Sequence, residues 1–265
     1  MALRIGVQVQ PQHATFDGMR RAWREADELG VDTIFTWDHF YPLYGDPDGP
    51  HFEALTTMAS MAEDTSRAQL GALVICNSYR NPEYLADAHR TIDHISGGRA
   101  ILGIGAGWFE RDYDEYGYPF GDAPARLRAL RESLPRIRDR IAKLNPPPVG
   151  RLPILIGGSG EKVTLKLVAR HADMWHGFGD ADRFRHKNAV LEEHCAAEGR
   201  DPAEIERTWA VPQGDPETML AAAEELRAAG VTHFIVGVGG DGTGYDLSAV
   251  AQLVAWRDRV GAAAA

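Results

Sequence analysis

Short strand-forming runs alternate with longer amphipathic segments about eight times along the 265 residues, which is how parallel βα units read in sequence. Strands are predicted at Arg4 to Gln10, Thr33 to Trp37, Leu70 to Cys76, Ala100 to Gly105, Pro153 to Ile156, Asp173 to Gly177, Glu206 to Val211 and His233 to Val238. Helices are predicted between them. The first is Thr15 to Leu29, where Phe16, Met19, Trp23, Ala26 and Leu29 build one apolar stripe and Gly30 ends it. The others are Phe52 to Glu63, Pro82 to Ile95, Ala125 to Leu144, Lys162 to His171, Arg183 to Glu198, Pro216 to Ala229 and Leu247 to Val260. Strands this apolar are covered on both faces, which excludes a half-solvated antiparallel sheet. Eight regular units in a chain of this length predict a closed (β/α)8 TIM barrel, one domain over residues 1–265, in preference to an open doubly wound sheet.

Composition narrows the partners. The formal net charge of −10 comes with no clustered basic stripe, so a nucleic-acid partner is not expected. Cys76 and Cys195 stand far apart, in no metal-binding or CxxC spacing, so neither a zinc site nor a disulfide framework is expected. The opening Met1-Ala2-Leu3-Arg4 leads directly into the first strand, and no apolar stretch approaches the roughly 20 residues of a membrane span. The expectation is a cytoplasmic protein acting on a small molecule.

In such a barrel, reactive residues belong at the C-terminal ends of strands and in the loops that follow. That filter selects Gln8 and Gln10, Trp37-Asp38-His39, Asn77 to Arg80, Gly105 to Trp108, Gly157 to Lys162, Trp175-His176, Gln213 and Gly239 to Asp246. His39 is the first catalytic choice, because imidazole exchanges a proton near neutral pH; Asp38 orients it or caps a turn, and His176 is the second choice. A histidine serving only the structure of the barrel mouth is the competing reading. Gly157 to Gly160 join an apolar strand to a helix, so their amides can form a phosphate nest to which Ser159 and Lys162 add a hydroxyl and a cation. The loop Gly239 to Gly244 competes, but its two aspartates repel phosphate. Alternating glycines at Gly103, Gly105 and Gly107 thin one strand face for a flat ring, or serve close packing. No GxSxG elbow is present, and Cys76 lies within an apolar strand, so a nucleophilic triad is not expected.

Four runs carry a resemblance: Trp37-Asp38-His39-Phe40, Leu73 to Pro82 (LVICNSYRNP), Ile95 to Trp108 (ISGGRAILGIGAGW) and Ile154 to Arg170 (ILIGGSGEKVTLKLVAR). In order and position they resemble the luciferase-like flavin and deazaflavin enzymes, in particular the branch of F420-dependent oxidoreductases. The resemblance implies a (β/α)8 barrel with a tricyclic ring in its mouth and the cofactor phosphate at Gly157, Gly158 and Ser159. It also implies a bulge, commonly with a non-proline cis peptide, near Leu73-Val74 behind the ring. Together with the strand-end filter this gives Val74, Asn77, Gly105, Ala106, Gly107, Trp108 and His176 as further cofactor-contacting candidates. His39 matches the position where F420-dependent members keep a histidine near the reacting ring edge.

Sugar-phosphate dehydrogenases of this family carry a glutamate where this chain has Trp108, a departure that speaks against a sugar-phosphate substrate. The segment that longer relatives insert between the fourth helix and fifth strand is missing, which implies a more open pocket. The activity implied is hydride transfer between coenzyme F420 and a small organic substrate. FMN-dependent monooxygenation, fed by a partner reductase, is the alternative, and homodimers are common among the relatives.

Overall fold

The computed structural model describes residues 2–264; Met1 and Ala265, the ends of the expected domain, lie outside the described residues. The strands are β1 (Arg4–Val9), β2 (Thr33–Thr36), β3 (Gln69–Ala72), β4 (Ile75–Cys76), β5 (Ala100–Gly105), β6 (Ile154–Gly157), β7 (Met174–Phe178), β8 (Glu206–Ala210) and β9 (His233–Val238). The helices are α1 (Phe16–Leu29), α2 (Ala54–Asp64), α3 (Pro82–Ser96), α4 (Glu110–Tyr116), α5 (Ala123–Ile141), α6 (Thr164–His171), α7 (Ala181–Glu198), α8 (Pro216–Ala229) and α9 (Ser248–Ala264). All strand pairs are parallel. The order β3-β2-β1-β9-β8-β7-β6-β5-β4 is closed by a further pairing of β3 with β5, so the sheet is a barrel. β3 and β4 are two pieces of one strand, which leaves eight strand positions and the expected (β/α)8 architecture.

The interruption has a register signature. Gly71 pairs with Ile101 and Ile75 with Ile104, so four steps along the third strand match three along β5. One residue is extra, and a bulge absorbs it. Leu73-Val74 lies there, joined by a non-proline cis peptide as the resemblance implied, and Gln8 Nε2 donates to the Leu73 carbonyl at 2.8 Å. Glycines of the neighbouring strands make room for the bulge. A Cβ at Gly103 would collide with the Ala72 carbonyl, while ones at Gly105 and Gly157 would come within 2.7 and 2.9 Å of the Val74 side chain. The alternating glycines therefore serve close packing first.

Caps that the sequence carries fix the helix ends. Thr15, Asn81, Asp122, Asp180 and Asp215 each accept a backbone N–H of the first turn of the helix they precede. Inside the barrel the filling changes with height. At the N-terminal end Arg4 Nη1 donates to both Glu206 oxygens (2.9 and 2.8 Å), and buried His233 contacts Thr33 Oγ1 at 2.8 Å. Above them Phe35, Ile101, Leu155, Met174 and Ile235 form an apolar plug. The space above that plug, at the C-terminal mouth, is open.

Candidate active site

A cavity of about 420 Å³ occupies the mouth. Its wall includes Gln8, Trp37, Asp38, His39, Val74, Cys76, Gly105, Ala106, Gly107, Trp108, Gly157, Gly158, His176 and Phe178. Most of the residues chosen at strand ends thus converge on one space. Asn77 and Ser159 do not line it: Asn77 is buried in the 3-10 turn (Asn77–Tyr79) that follows β4, and Ser159 follows the lining residue Gly158 in the chain.

His39 is held by a residue that sequence adjacency did not suggest. Its Nδ1–H donates to Asp112 Oδ2 at 2.8 Å; the same carboxylate accepts from Tyr79 Oη at 3.0 Å and from the amides of Phe40 (3.0 Å) and Tyr41 (3.2 Å). Asp112 is fully buried. This leaves His39 Nε2 without a partner among the described residues, on a ring that borders the cavity. Rings of Trp37, Trp108 and Phe109 meet the imidazole edge-on at 5.4–6.1 Å between centroids. Asp112 sits on α4, a short helix inside what reads as a continuous aromatic and acidic loop from Trp108 to Asp122. Only helical spacing could have marked it, since α4 buries Asp112 and Tyr113 and exposes Glu110, Asp114 and Glu115.

The orienting role expected of Asp38 is therefore corrected. Its carboxylate accepts from both terminal nitrogens of Arg80 (2.6 and 2.8 Å) and from the Cys76 amide (2.8 Å), tying the second strand to the bulged third. Arg80 also bonds Glu53 at 2.7 Å. Burial pulls the guanidinium pKa down, but the Asp38 and Glu53 carboxylates more than reverse this and hold it above its ordinary value. Replacing Asp38 by Ala would leave a buried cation with one partner fewer. The expected cost is about 3–5 kcal/mol, a fall of roughly 10 °C in Tm for a chain of this size. Thermal unfolding followed by circular dichroism measures it, and a shift under about 3 °C would contradict the ion pair's role.

His176 is a different kind of histidine. Thr208 Oγ1 donates to the Trp175 carbonyl at 3.1 Å, so its remaining lone pairs accept from His176 Nδ1 at 2.9 Å. The ring then carries its proton on Nδ1 and offers Nε2 as an acceptor. Burial first, and the neighbouring His233 second, hold its pKa down to about 3, which suits a hydrogen-bond acceptor and not a group exchanging protons near neutrality. His51, whose Nε2 accepts from Trp37 Nε1 at 2.9 Å, is held to about 4 by burial and then by His39; His89 is held to about 4 by burial.

These three rings make acid stability predictable. In the unfolded chain each gains its proton near pH 6.5, whereas the folded chain keeps all three neutral to about pH 4. The unfolded state binds more protons throughout that window, so stability falls as pH falls. Between pH 7 and pH 5 the combined loss is roughly 5–6 kcal/mol, and urea unfolding at the two values reads it directly. A difference below about 1 kcal/mol would mean that the rings protonate without unfolding.

The loop after β6 leaves several backbone amides unspent. Gly158 adopts φ +117° and its amide is spent on the His176 carbonyl (3.0 Å), so the expected nest shifts one residue onward. The amides of Ser159, Gly160 and Glu161 have no acceptor among the described residues. Ser159 Oγ is buried and unpartnered. Helix α6 follows with no side-chain cap, unlike the five capped helices above. The competing loop satisfies itself, since Asp241 Oδ1 accepts from the amides of Thr243 and Gly244 at 2.8 and 2.7 Å.

The described residues hold no group of three His, Cys, Asp or Glu side chains arranged for a metal, and no helix among them is long and apolar enough to cross a membrane.

Comparison with known proteins agrees with the fold. An F420-dependent secondary alcohol dehydrogenase bound to an F420-acetone adduct superposes with a TM-score of 0.80 at 16% identity, covering 97% of this chain and 98% of its own. A coenzyme F420 dependent tetrahydromethanopterin reductase from Methanopyrus kandleri gives 0.76 at 18% identity, covering 96% and 97%. By sequence, an F420-dependent glucose-6-phosphate dehydrogenase of Kineococcus radiotolerans is 30% identical over 223 residues, 77% of this chain and 65% of the relative. A dehydrogenase of the same description from Amycolatopsis mediterranei is 36% identical over 116 residues, 43% of this chain and 34% of its own length. The chain thus spans between a third and two thirds of these relatives. The luciferase-like monooxygenase family model matches residues 1–264, and the chain belongs to that family.

Proposed function

We propose that the protein is an F420-dependent oxidoreductase that moves a hydride between the deazaflavin and a small carbonyl or hydroxyl compound. The observation that carries this reading is His39: a ring at the wall of a cavity beside a loop of unspent amides, fixed at Nδ1 by a buried carboxylate, with Nε2 unpartnered among the described residues. Sequence likeness to F420-dependent dehydrogenases supports the choice of cofactor.

The residues present fit such a cofactor. The amides from Ser159 onward, at the uncapped start of α6, would hold its phosphate, with Gly157 and Gly158 allowing close approach. The bulge at Val74 and the stretch Gly105 to Gly107 would back its ring, and His176 Nε2 would accept a hydrogen bond from the ring edge. When bound, F420 supplies a two-electron hydride donor or acceptor with little reactivity toward oxygen. The chain supplies the rest. His39 delivers a proton from Nε2 to the substrate oxygen during reduction, or removes it during oxidation, and Asp112 keeps that nitrogen aimed inward.

Titrating the purified protein separately with F420 and with FMN tests the reading. F420 is expected to bind at least about tenfold more tightly. In Gly158→Val, whose side chain the local φ of +117° disfavours, both affinities should fall about tenfold. Tight FMN binding with none of F420 would assign the protein to flavin monooxygenation instead.

A further inference from the structure

The cavity's chemistry also says what its substrate is. No lysine or arginine lines it. Its one carboxylate, Asp38, is committed to Arg80, and Arg80 is shared with Glu53, so this cluster has no positive charge to spare for an anionic substrate. An anion moved into such a space would surrender its hydration without gaining a charged partner. The rim has the opposite character. Tyr44 and Trp108, in the loops after β2 and β5, and Phe178, at the end of β7, border the cavity, yet they are 66, 62 and 58% exposed. Large apolar rings standing in water around a concavity mark a binding site. Trp108 also meets His39 edge-on at 5.7 Å, so a ring lying on the indole would set its substituent beside the proton-exchanging nitrogen.

We propose that the substrate is a neutral aryl carbonyl compound, or the matching alcohol, and that Trp108 is the residue that selects it over phosphorylated sugars. The proposal rests on the oxidoreductase reading above. In the reduction the carbonyl carbon would gain a hydride, the carbonyl π pair would move to oxygen, and that oxygen would gain a proton from His39; F420H2 would give up its second hydrogen to solvent as a proton on becoming F420, and solvent would return a proton to His39. Two arginines reach the outside of the wall without lining it: Arg126 donates to the Gly107 carbonyl at 3.1 Å, and the Arg183 guanidinium lies over the Phe178 ring at 5.3 Å.

Calorimetric titration of the F420-loaded and the cofactor-free protein with acetophenone, D-glucose and D-glucose 6-phosphate tests this. Acetophenone should bind the loaded protein, with affinity falling about tenfold in Trp108→Ala and, independently, in Phe178→Ala. Both side chains are exposed, so the variants keep the fold. Glucose 6-phosphate should bind no better than glucose. If the phosphate adds affinity, and Arg183→Ala removes it, the proposal is overturned; it is equally overturned if acetophenone fails to bind or binds both ring variants as it binds the parent. F420 affinity is read in the same series. Absence of F420 binding alongside ring-dependent acetophenone binding would defeat the cofactor reading and leave the substrate class standing.

Discussion

Replacing His39 by Ala is expected to lower kcat by about 10²–10⁴-fold while changing F420 affinity less than about threefold. The split follows from position. The imidazole borders the cavity and is held at Nδ1, whereas the amides proposed to hold the cofactor phosphate belong to the loop after β6. Removing the ring deletes the imidazole proposed to carry the proton, and His176 does not replace it, since burial and His233 keep that ring neutral down to about pH 3. Hydride transfer to a carbonyl without protonation leaves an alkoxide in a low-dielectric cavity, and the barrier rises accordingly. Turnover is followed by oxidation of reduced F420 with acetophenone, and affinity by titration of the same preparation. Added imidazole should restore part of the rate, because the vacated space opens onto the cavity. A kcat within about threefold of the parent would show that solvent supplies the proton and His39 is structural.

The sequence carried the barrel because each unit states its own ends. Pro216 and Asp215 open α8 and Gly230 closes it, and the predicted span of that helix is the observed one. Strand β9 is likewise found at His233–Val238, an apolar run bounded by polar residues. Local signals fail where a tertiary neighbour decides. Leu70 to Cys76 is uniformly apolar, so nothing inside it announces a bulge; the sign lies in the glycines of β5 and β6 that yield to Ala72 and Val74. Helix α4 is seven residues long, too short for an apolar period to stand out from the acidic loop around it.

The same limit explains the site. His39 was legible as a histidine at a strand end. Adjacency points to Asp38 as its partner, yet neighbours in extended chain point to opposite sides. Asp38 accordingly turns to Arg80 and Cys76, and His39 reaches a carboxylate 73 residues away. Four acids lie within six residues of α4, and only packing separates the one that is buried.

That carboxylate carries the second large effect. In Asp112→Asn the amide keeps the shape of the side chain, and its oxygen can still accept from the Phe40 and Tyr41 amides. Its NH2 then faces His39 Nδ1 and Tyr79 Oη, where an acceptor stood. The imidazole answers by moving its proton to Nε2, so that Nδ1 accepts from the new amide. A neutral His39 in that tautomer cannot take a proton from an alcohol, and the imidazolium it must become loses its counter-charge. We expect kcat to fall about 10³-fold or more, following the logic of a histidine left in the wrong tautomer. F420 affinity should be unchanged and stability lowered by only about 1–3 kcal/mol, since the shape is retained and one buried charge is lost. Nitrogen NMR of the His39 ring separates this from unfolding: the parent should show Nδ1 protonated and the variant Nε2. If the variant keeps the Nδ1–H tautomer and more than about a tenth of its turnover, Asp112 holds loops together and does not position the ring.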